Sequence, residues 1–422
     1  MPEVIRASDP PSKAMSVLYF VAHPVWPLTS GNRLRDYHLA RQLAARASVT
    51  LVELLNYGEQ PSNPPSDCGF DRIISLNKGP SYTLGKILRG IAGPTPLTIL
   101  NYSEPRLASQ LVSTLASGRF DAVQIQGAHL SAYLPVIRAA PRRPAILVDW
   151  HNIESELMWR YSENAPNLPR KLVARRTAGL LEKVELRLLE SCGAHTVTSE
   201  REGEKLLARF PTAKVHVMPN GVDVEYFRQP ELVKACQSDG SPACKQSLLF
   251  IGSMDYYPNI DAVRWFAHDI WPCIARKHPK LEFIIAGRNP SNDVLTLQSD
   301  RVRVTGTVAD VRPFYASALA MIVPLRIGSG TRLKILEAMA AGVPIVSTQL
   351  GCEGLDVQCG VHLLLADGPS EITEAINHLI CSGETRSRLA QAARALVIDQ
   401  YDWAILGAKL RRIYNDLVQT PR

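Results

Sequence analysis

Gly328, Ser329 and Gly330 lie between an apolar run and a segment of helical period that carries Arg332, Lys334 and Glu337. Glycines let backbone amides come close to a ligand, and the unpaired N–H groups of a helix start favour an anion. With Thr331 opening the helix and Arg332 and Lys334 adding charge, the stretch reads as a candidate phosphate cradle; an ordinary strand-to-helix turn is the alternative. Glu337 shares a stripe with Leu333 and Ala340, where an unpaired carboxylate is costly. Two partners suit it: Lys334, three residues earlier, or the paired hydroxyls of a ribose whose phosphates sit on the helix start. Two further residues stand where strands run into turns. Gly31 lies in PLTSGN (27–32), and His151 closes the run AILVDWH (145–151), each with a plain structural reading beside the functional one.

The elements that must position these residues alternate along the chain. Strand-length apolar runs fall at 17–23, 49–55, 73–76, 122–129, 145–151, 194–199 and 215–219, then at 248–252, 281–287, 302–306, 319–325, 343–348 and 362–366. Helix-period segments lie between most of them, the pattern of parallel sheets covered on both faces by helices. Residues 32–47 predict an amphipathic helix with Leu34, His38, Leu39, Gln42 and Leu43 near one face. A chain of 422 residues is long enough for about two cores. The polar, turn-rich stretch 227–247 reads as the linker between a domain at 1–226 and one at 248–400, with a last helix at 401–422. Ligands of doubly wound sheets bind at the carboxyl ends of the strands, so two such domains predict a central cleft.

Composition narrows the class. Hydrophobic residues make up 46% and charged residues 21%, no apolar run approaches the ~20 residues of a membrane span, and the polar start MPEVIRASDPPSKAM lacks an apolar signal core, which predicts a cytoplasmic protein. The eight cysteines are scattered without a C-x-x-C and are expected to be reduced thiols. Net charge is +7, and residues 1–220 hold 26 Lys and Arg against 19 Asp and Glu, whereas the remainder is balanced. One basic half suggests an anionic partner there, with Arg33, Arg35, Arg41, Arg46, Arg170, Lys171, Arg175 and Arg176 as the charges that would meet an acidic lipid surface. No D-x-D triplet for a divalent ion and no G-x-G-x-x-G after the first strand occur, which disfavours a metal-held donor and a nicotinamide dehydrogenase.

The order PNGVD (219–223), FIGSMDYYPN, FIIAGRNP and IGSGTRLKILEAMAAGVPIVST resembles the second domain of group 1 (family 4) glycosyltransferases, and SGNRLRDYHLARQLA and DWHNIE extend the likeness into the first half. The resemblance implies an α/β GT-B fold, two Rossmann-like doubly wound domains facing a central cleft. It also implies retaining, metal-independent transfer from a nucleotide diphosphate sugar, with no cofactor beyond that donor. Glu337 matches the second glutamate of the family's paired motif and would bind the ribose; the first falls on Ser329, so the carboxylate that would contact the donor sugar is missing. The place of the family's diphosphate-holding Arg and Lys reads GSMDYYPN, without a basic residue, which leaves Lys334, Arg332 and Arg288 as replacements. His151 matches the histidine beside the donor sugar, and Gly31 the glycine close to its phosphate. The donor site is then Gly31, Ser329, Gly330, Thr331, Arg332, Lys334 and Glu337, with His151 and Glu337 as the catalytic pair.

The acceptor is expected to be a lipid-linked or other glycan used in bacterial envelope or polysaccharide assembly, with the enzyme peripheral on the inner face of the plasma membrane and no nucleic acid involved. A nucleotide-sugar 2-epimerase and a non-catalytic nucleotide-sugar-binding protein are the alternatives.

Overall fold

The computed structural model describes residues 15–61, 64–65, 67–228, 247–328 and 333–419. Two compact units divide the chain: one runs to Met218 and takes up the chain again from Gly407, and the other is Pro219–Leu406. The linker expected at 227–247 lies mostly outside the described residues.

In the first unit each apolar run becomes a strand: β1 (Ser16–Val21), β2 (Ser48–Leu55), β3 (Arg72–Asn77), β4 (Ala122–Gln126), β5 (Ala145–Trp150), β6 (Ala194–Val197) and β7 (Val215–Val217). They form one sheet in the order β3-β2-β1-β4-β5-β6-β7. Every pairing is parallel; Val17, for example, is in register with Val49 on one side and Ala122 on the other. Helices cover both faces, which is why the central strands read as unbroken apolar runs rather than alternating ones. Leu18, Phe20, Val52, Val123, Ile125, Val148 and Trp150 are at most 1% exposed and form the centre of the core. Truncating any of these to alanine is expected to cost about 2–5 kcal/mol.

Helix α1 (Gly31–Ala44) follows β1 and starts where the sequence places it, with Leu34 N–H donating to the Ser30 carbonyl. Its buried face differs from the expected one: Arg35, Asp36, Tyr37, Leu39, Ala40, Leu43 and Ala44 are inside, while Leu34, His38 and Gln42 are half-buried. Apolar periodicity alone overlooks a helix that turns two charged residues inward. Further along are α2 (Leu84–Ala92), α3 (Glu154–Glu163) and the long α4 (Leu168–Ser191).

The second unit repeats the plan with β8 (Ser247–Ile251), β9 (Glu282–Ala286), β10 (Val302–Val304), β11 (Ala318–Val323), β12 (Ile345–Ser347) and β13 (Leu364–Leu365), in the order β10-β9-β8-β11-β12-β13 and parallel throughout. Helix α5 (Tyr257–Trp265) follows β8, and α6 (Leu333–Ala340) follows β11, burying Ile335, Leu336 and Met339. The final helix, α7 (Trp403–Gln419), begins in the second unit, where Trp403 packs on Gly221, and ends in the first, where the Tyr414 hydroxyl donates to Gln124 Oε1 at 2.7 Å. Among the described residues no helix is long and apolar enough to cross a membrane.

Candidate functional site

In each sheet the chain turns outward in opposite directions from two neighbouring central strands, β1 and β4 in the first unit and β8 and β11 in the second. The carboxyl ends of such strands open a crevice for a ligand. Both places hold polar side chains that the fold has brought together.

On the first unit the hub is Gln126, the last residue of β4. Its Oε1 accepts from the Ala22 N–H at 2.8 Å and its Nε2 donates to Asp36 Oδ2 at 2.7 Å, which fixes the amide. Nε2 also lies 3.1 Å from His23 Nε2 and 3.2 Å from the His151 ring. His151 Nε2 is 3.3 Å from Asp36 Oδ1 and 3.2 Å from Asp149 Oδ2. Arg35 closes the cluster: Nε and one terminal nitrogen donate to the two oxygens of Asp149 at 3.0 and 2.8 Å, and the other donates to the Met218 carbonyl at 2.7 Å. Thr196 donates to Asp149 Oδ1 as well.

The electrostatics follow from this packing. Burial disfavours charge on His151, but Asp36 and Asp149 outweigh it and raise the imidazole to about 9. Burial likewise opposes the charge on Asp36 and Asp149, yet His151 with His23 holds the first below the usual carboxylate range, and Arg35 with His151 holds the second far below it. His151 is therefore an imidazolium at neutral pH, oriented by two carboxylates. Arg35, expected among the surface charges, is instead 1% exposed and committed to Asp149. Asp36, Asp149 and His151 place ligand atoms within 4.8 Å of one another, close enough for a divalent cation, but Arg35 and His151 already supply two positive charges to the two carboxylates. Gly31 opens α1 beside this cluster's Arg35 and Asp36, at the helix start where three or four amides lack intrahelical partners.

On the second unit Lys334 and Glu337 lie on the first turns of α6. Lys334 Nζ donates to Asn259 Oδ1 on α5 at 2.9 Å and stands 4.0 Å over the Phe250 ring of β8. Glu337 is half-buried; its Oε2 accepts from the Tyr315 hydroxyl at 2.8 Å. Burial raises the carboxyl above its ordinary value, against the Tyr315 bond and the charge of Lys334. The turn after β8 is tight. A Cβ on Gly252 would lie 2.7 Å from Asn259 Nδ2 and 3.0 Å from Lys334 Nζ, and one on Gly287 would lie 1.7 Å from the Gly252 carbonyl oxygen. Arg288 donates from Nε to Ser253 Oγ in the same turn at 3.0 Å. Ser329, Gly330, Thr331 and Arg332 lie outside the described residues.

Of the residues singled out in the sequence, His151, Lys334 and Glu337 lie in these two clusters; Gln126, Asp36, Asp149, Asn259 and Tyr315 join them without having been singled out. The first three of these five left a signal: a polar residue inside an apolar strand (Gln126, Asp149) or beside an arginine on a helix (Asp36) must find a partner once buried. Asn259 and Tyr315 left none.

Comparison with known proteins decides the family. Residues 37–226 match the model described as Glycosyltransferase Family 4, and residues 245–382 the one described as Glycosyl transferases group 1. The chain belongs to the group 1, family 4 glycosyltransferases. This glycosyltransferase is 22% identical to the MMP alpha-(1->4)-mannosyltransferase of Mycolicibacterium hassiacum over 90% of its own length and 93% of that protein. It is 26% identical to the phosphatidyl-myo-inositol mannosyltransferase of Mycobacterium leprae, over 47% of this chain and only 52% of that one. Among solved structures it is similar to sucrose-phosphate synthase from Thermosynechococcus elongatus, with a TM-score of 0.69 at 17% identity over 96% and 99% of the two chains. It is also similar to Anabaena HepE in complex with UDP and glucose, with a TM-score of 0.66 at 15% identity over 95% and 99%. The glycosyltransferase has the GT-B fold.

Proposed function

We propose that the protein transfers a sugar from a nucleoside diphosphate sugar to an acceptor hydroxyl with retention of anomeric configuration, without a divalent metal or other cofactor, in the assembly of a bacterial envelope glycan or polysaccharide. The observation that carries this reading is the pairing on α6: Lys334 Nζ reaches the Gly252 turn, where the sequence has no basic residue of its own, while Glu337 follows one helical turn later. Such an arrangement suits a nucleotide whose diphosphate meets Lys334 and whose ribose diol meets Glu337. Negative charge develops on the departing nucleoside diphosphate, and a fixed ammonium stabilises it there without reorganisation. His151, held as an imidazolium by Asp36 and Asp149, is the first unit's own cation for a developing negative charge. In this role Arg35 and His151 make a bound metal unnecessary at Asp36 and Asp149.

The first unit is the acceptor-binding part, and it docks on an anionic membrane. Leu84, Leu88 and Ile91 form an exposed stripe on α2, and Leu168 and Leu172 are exposed at the start of α4, among Arg170, Lys171 and Arg175. Arg176, expected to face lipid with them, instead donates to the Ile91 and Gly93 carbonyls and joins the end of α2 to α4. Apolar side chains ringed by basic ones suit a surface of acidic headgroups.

The test is incubation with a panel of nucleoside diphosphate sugars, with and without chelator, followed by NMR of the anomeric signals. Sugar transfer with the donor's configuration, unaffected by chelator, is expected. Inversion, or loss of turnover restored by added metal, would overturn the mechanism; epimerised donor without acceptor would identify an epimerase, and donor binding without turnover a binding protein.

A further inference from the structure

Lys78 follows the last residue of β3 and is only 8% exposed, yet among the described residues its ammonium has no hydrogen-bond acceptor. Its one neighbour of note is the Tyr102 ring, with Nζ 4.4 Å from the centroid. Partial burial, with Lys86 nearby and against the charge of Glu59, lowers its affinity for a proton. From Tyr102 the row continues. The His129 ring is 5.0 Å from the Tyr102 ring and stands on the turn Ala128–Tyr133 after β4, and His129 Nε2 is 3.9 Å from Glu154 Oε2 on the first turn of α3 after β5. Lys78, His129 and Glu154 thus follow the carboxyl ends of β3, β4 and β5, and Tyr102, after the short helix Leu97–Leu100, stands between Lys78 and His129.

Their chemistries are graded. The Lys78 end is cationic: His151, Lys78 and His23 all add to burial in holding His129 neutral, at about 4. Tyr102 offers an aromatic face in the middle. The far end is a carboxyl that burial and Glu185 raise to about 7, so it is ready to give or take a hydrogen bond at neutral pH. Lys86 does not serve the row, because it is paired with Glu104 at 2.7 Å.

We propose that Lys78, Tyr102, His129 and Glu154 form a recognition site for an acceptor sugar that carries a phosphate, which is held by Lys78, while the ring lies on Tyr102 and its hydroxyls meet His129 and Glu154. A lysine ammonium is a compact partner for a phosphate, and an aromatic face stacks on the C–H side of a sugar. The inference rests on the transferase reading for its role as an acceptor site, though the binding itself does not depend on it. The phosphate could belong to a soluble sugar phosphate or to a lipid headgroup, and the site's chemistry serves both.

Calorimetric titration of the full chain with glucose 6-phosphate, glucose and vesicles containing phosphatidylglycerol tests the assignment, with Lys78→Met and Lys78→Gln alongside. Glucose 6-phosphate is expected to bind the wild type about tenfold to a hundredfold more tightly than either variant, with glucose weak in all three. A dependence on Lys78 seen only with vesicles would assign the phosphate to a lipid headgroup and still support the site. Both variants should fold and melt close to the wild-type temperature, since among the described residues the ammonium holds no hydrogen bond that they would break. Equal affinity of wild type and variants for glucose 6-phosphate and for vesicles would overturn the proposal. Binding of UDP- and GDP-sugars, measured on the same samples, reports separately on the transferase reading: its absence would remove that role and leave the phosphate result standing.

Discussion

The Tyr315 hydroxyl donates to Glu337 Oε2 at 2.8 Å, and the tyrosine is 1% exposed, so this carboxylate has a structural partner as well as a proposed ribose. Lys334, the other partner suggested by spacing, instead reaches Asn259. The carboxylate keeps a second oxygen for a ligand.

Glu337→Ala is therefore expected to act twice. Loss of a charge-assisted contact should weaken nucleotide binding about tenfold to a hundredfold, and the orphaned Tyr315 hydroxyl should lower stability by about 1–3 kcal/mol. Glu337→Ala with Tyr315→Phe removes both members and should recover stability without recovering affinity. Titration of nucleotide sugars beside urea denaturation checks this; unchanged affinity in both variants would make Glu337 purely structural.

Two glycines in the same turn should respond differently. At Gly252 an added methyl meets side-chain ends, the amide of Asn259 and the ammonium of Lys334, which can shift. Gly252→Ala should then fold well but bind donor more weakly. At Gly287 the methyl would lie 1.7 Å from a backbone oxygen, at a φ of +151°, and nothing there can move. Gly287→Ala should lose about 3 kcal/mol or more, read as a fall in melting temperature.

Arg35→Met should be among the most destabilising substitutions in the first unit. It leaves Asp149, 1% exposed, without the guanidinium that binds both its oxygens. Breaking a buried pair by removing one partner costs about 3–5 kcal/mol, measurable by denaturant titration.

Stability should fall on the alkaline side through His151. Its folded value, about 9, is raised above the ordinary 6.5, so its contribution is complete below pH 6.5 and is lost as pH rises through about 9. The amount is about 3 kcal/mol. Asp36, Asp149 and Gln126 face the same ring and Glu154 feels its charge, so the comparison with His151→Gln is the measurement: the variant's stability curve should be flatter between pH 7 and 9.

Vesicle co-sedimentation tests the membrane surface. Binding is expected to rise with anionic lipid, fall in high salt, and weaken on neutralising Arg170, Lys171 and Arg175 or on changing Leu84 and Leu88 to serine. Each basic residue near acidic lipid is worth about 1 kcal/mol. Arg176→Gln should act through stability, because its guanidinium holds backbone carbonyls. Equal recovery with neutral and anionic vesicles would dismiss the surface.

The alternation of apolar runs by itself determined the thirteen described strands, and strand-length runs buried on both faces could only become parallel sheets under helices. Glu337, Lys334 and His151 were legible for a similar local reason: each departs from the apolar pattern around it or stands where a strand ends. Which groups meet was decided only by tertiary structure. Asp36, Gln126 and the pair Asp149 and His151 come from three separate stretches of chain and become neighbours because β1, β4 and β5 lie side by side. The sequence reading expected Arg35 on a charged surface, yet it is buried, since only the packing of α1 sets it against Asp149. Burial then raises or lowers each proton affinity according to the partners the fold supplies, and no local spacing encodes that.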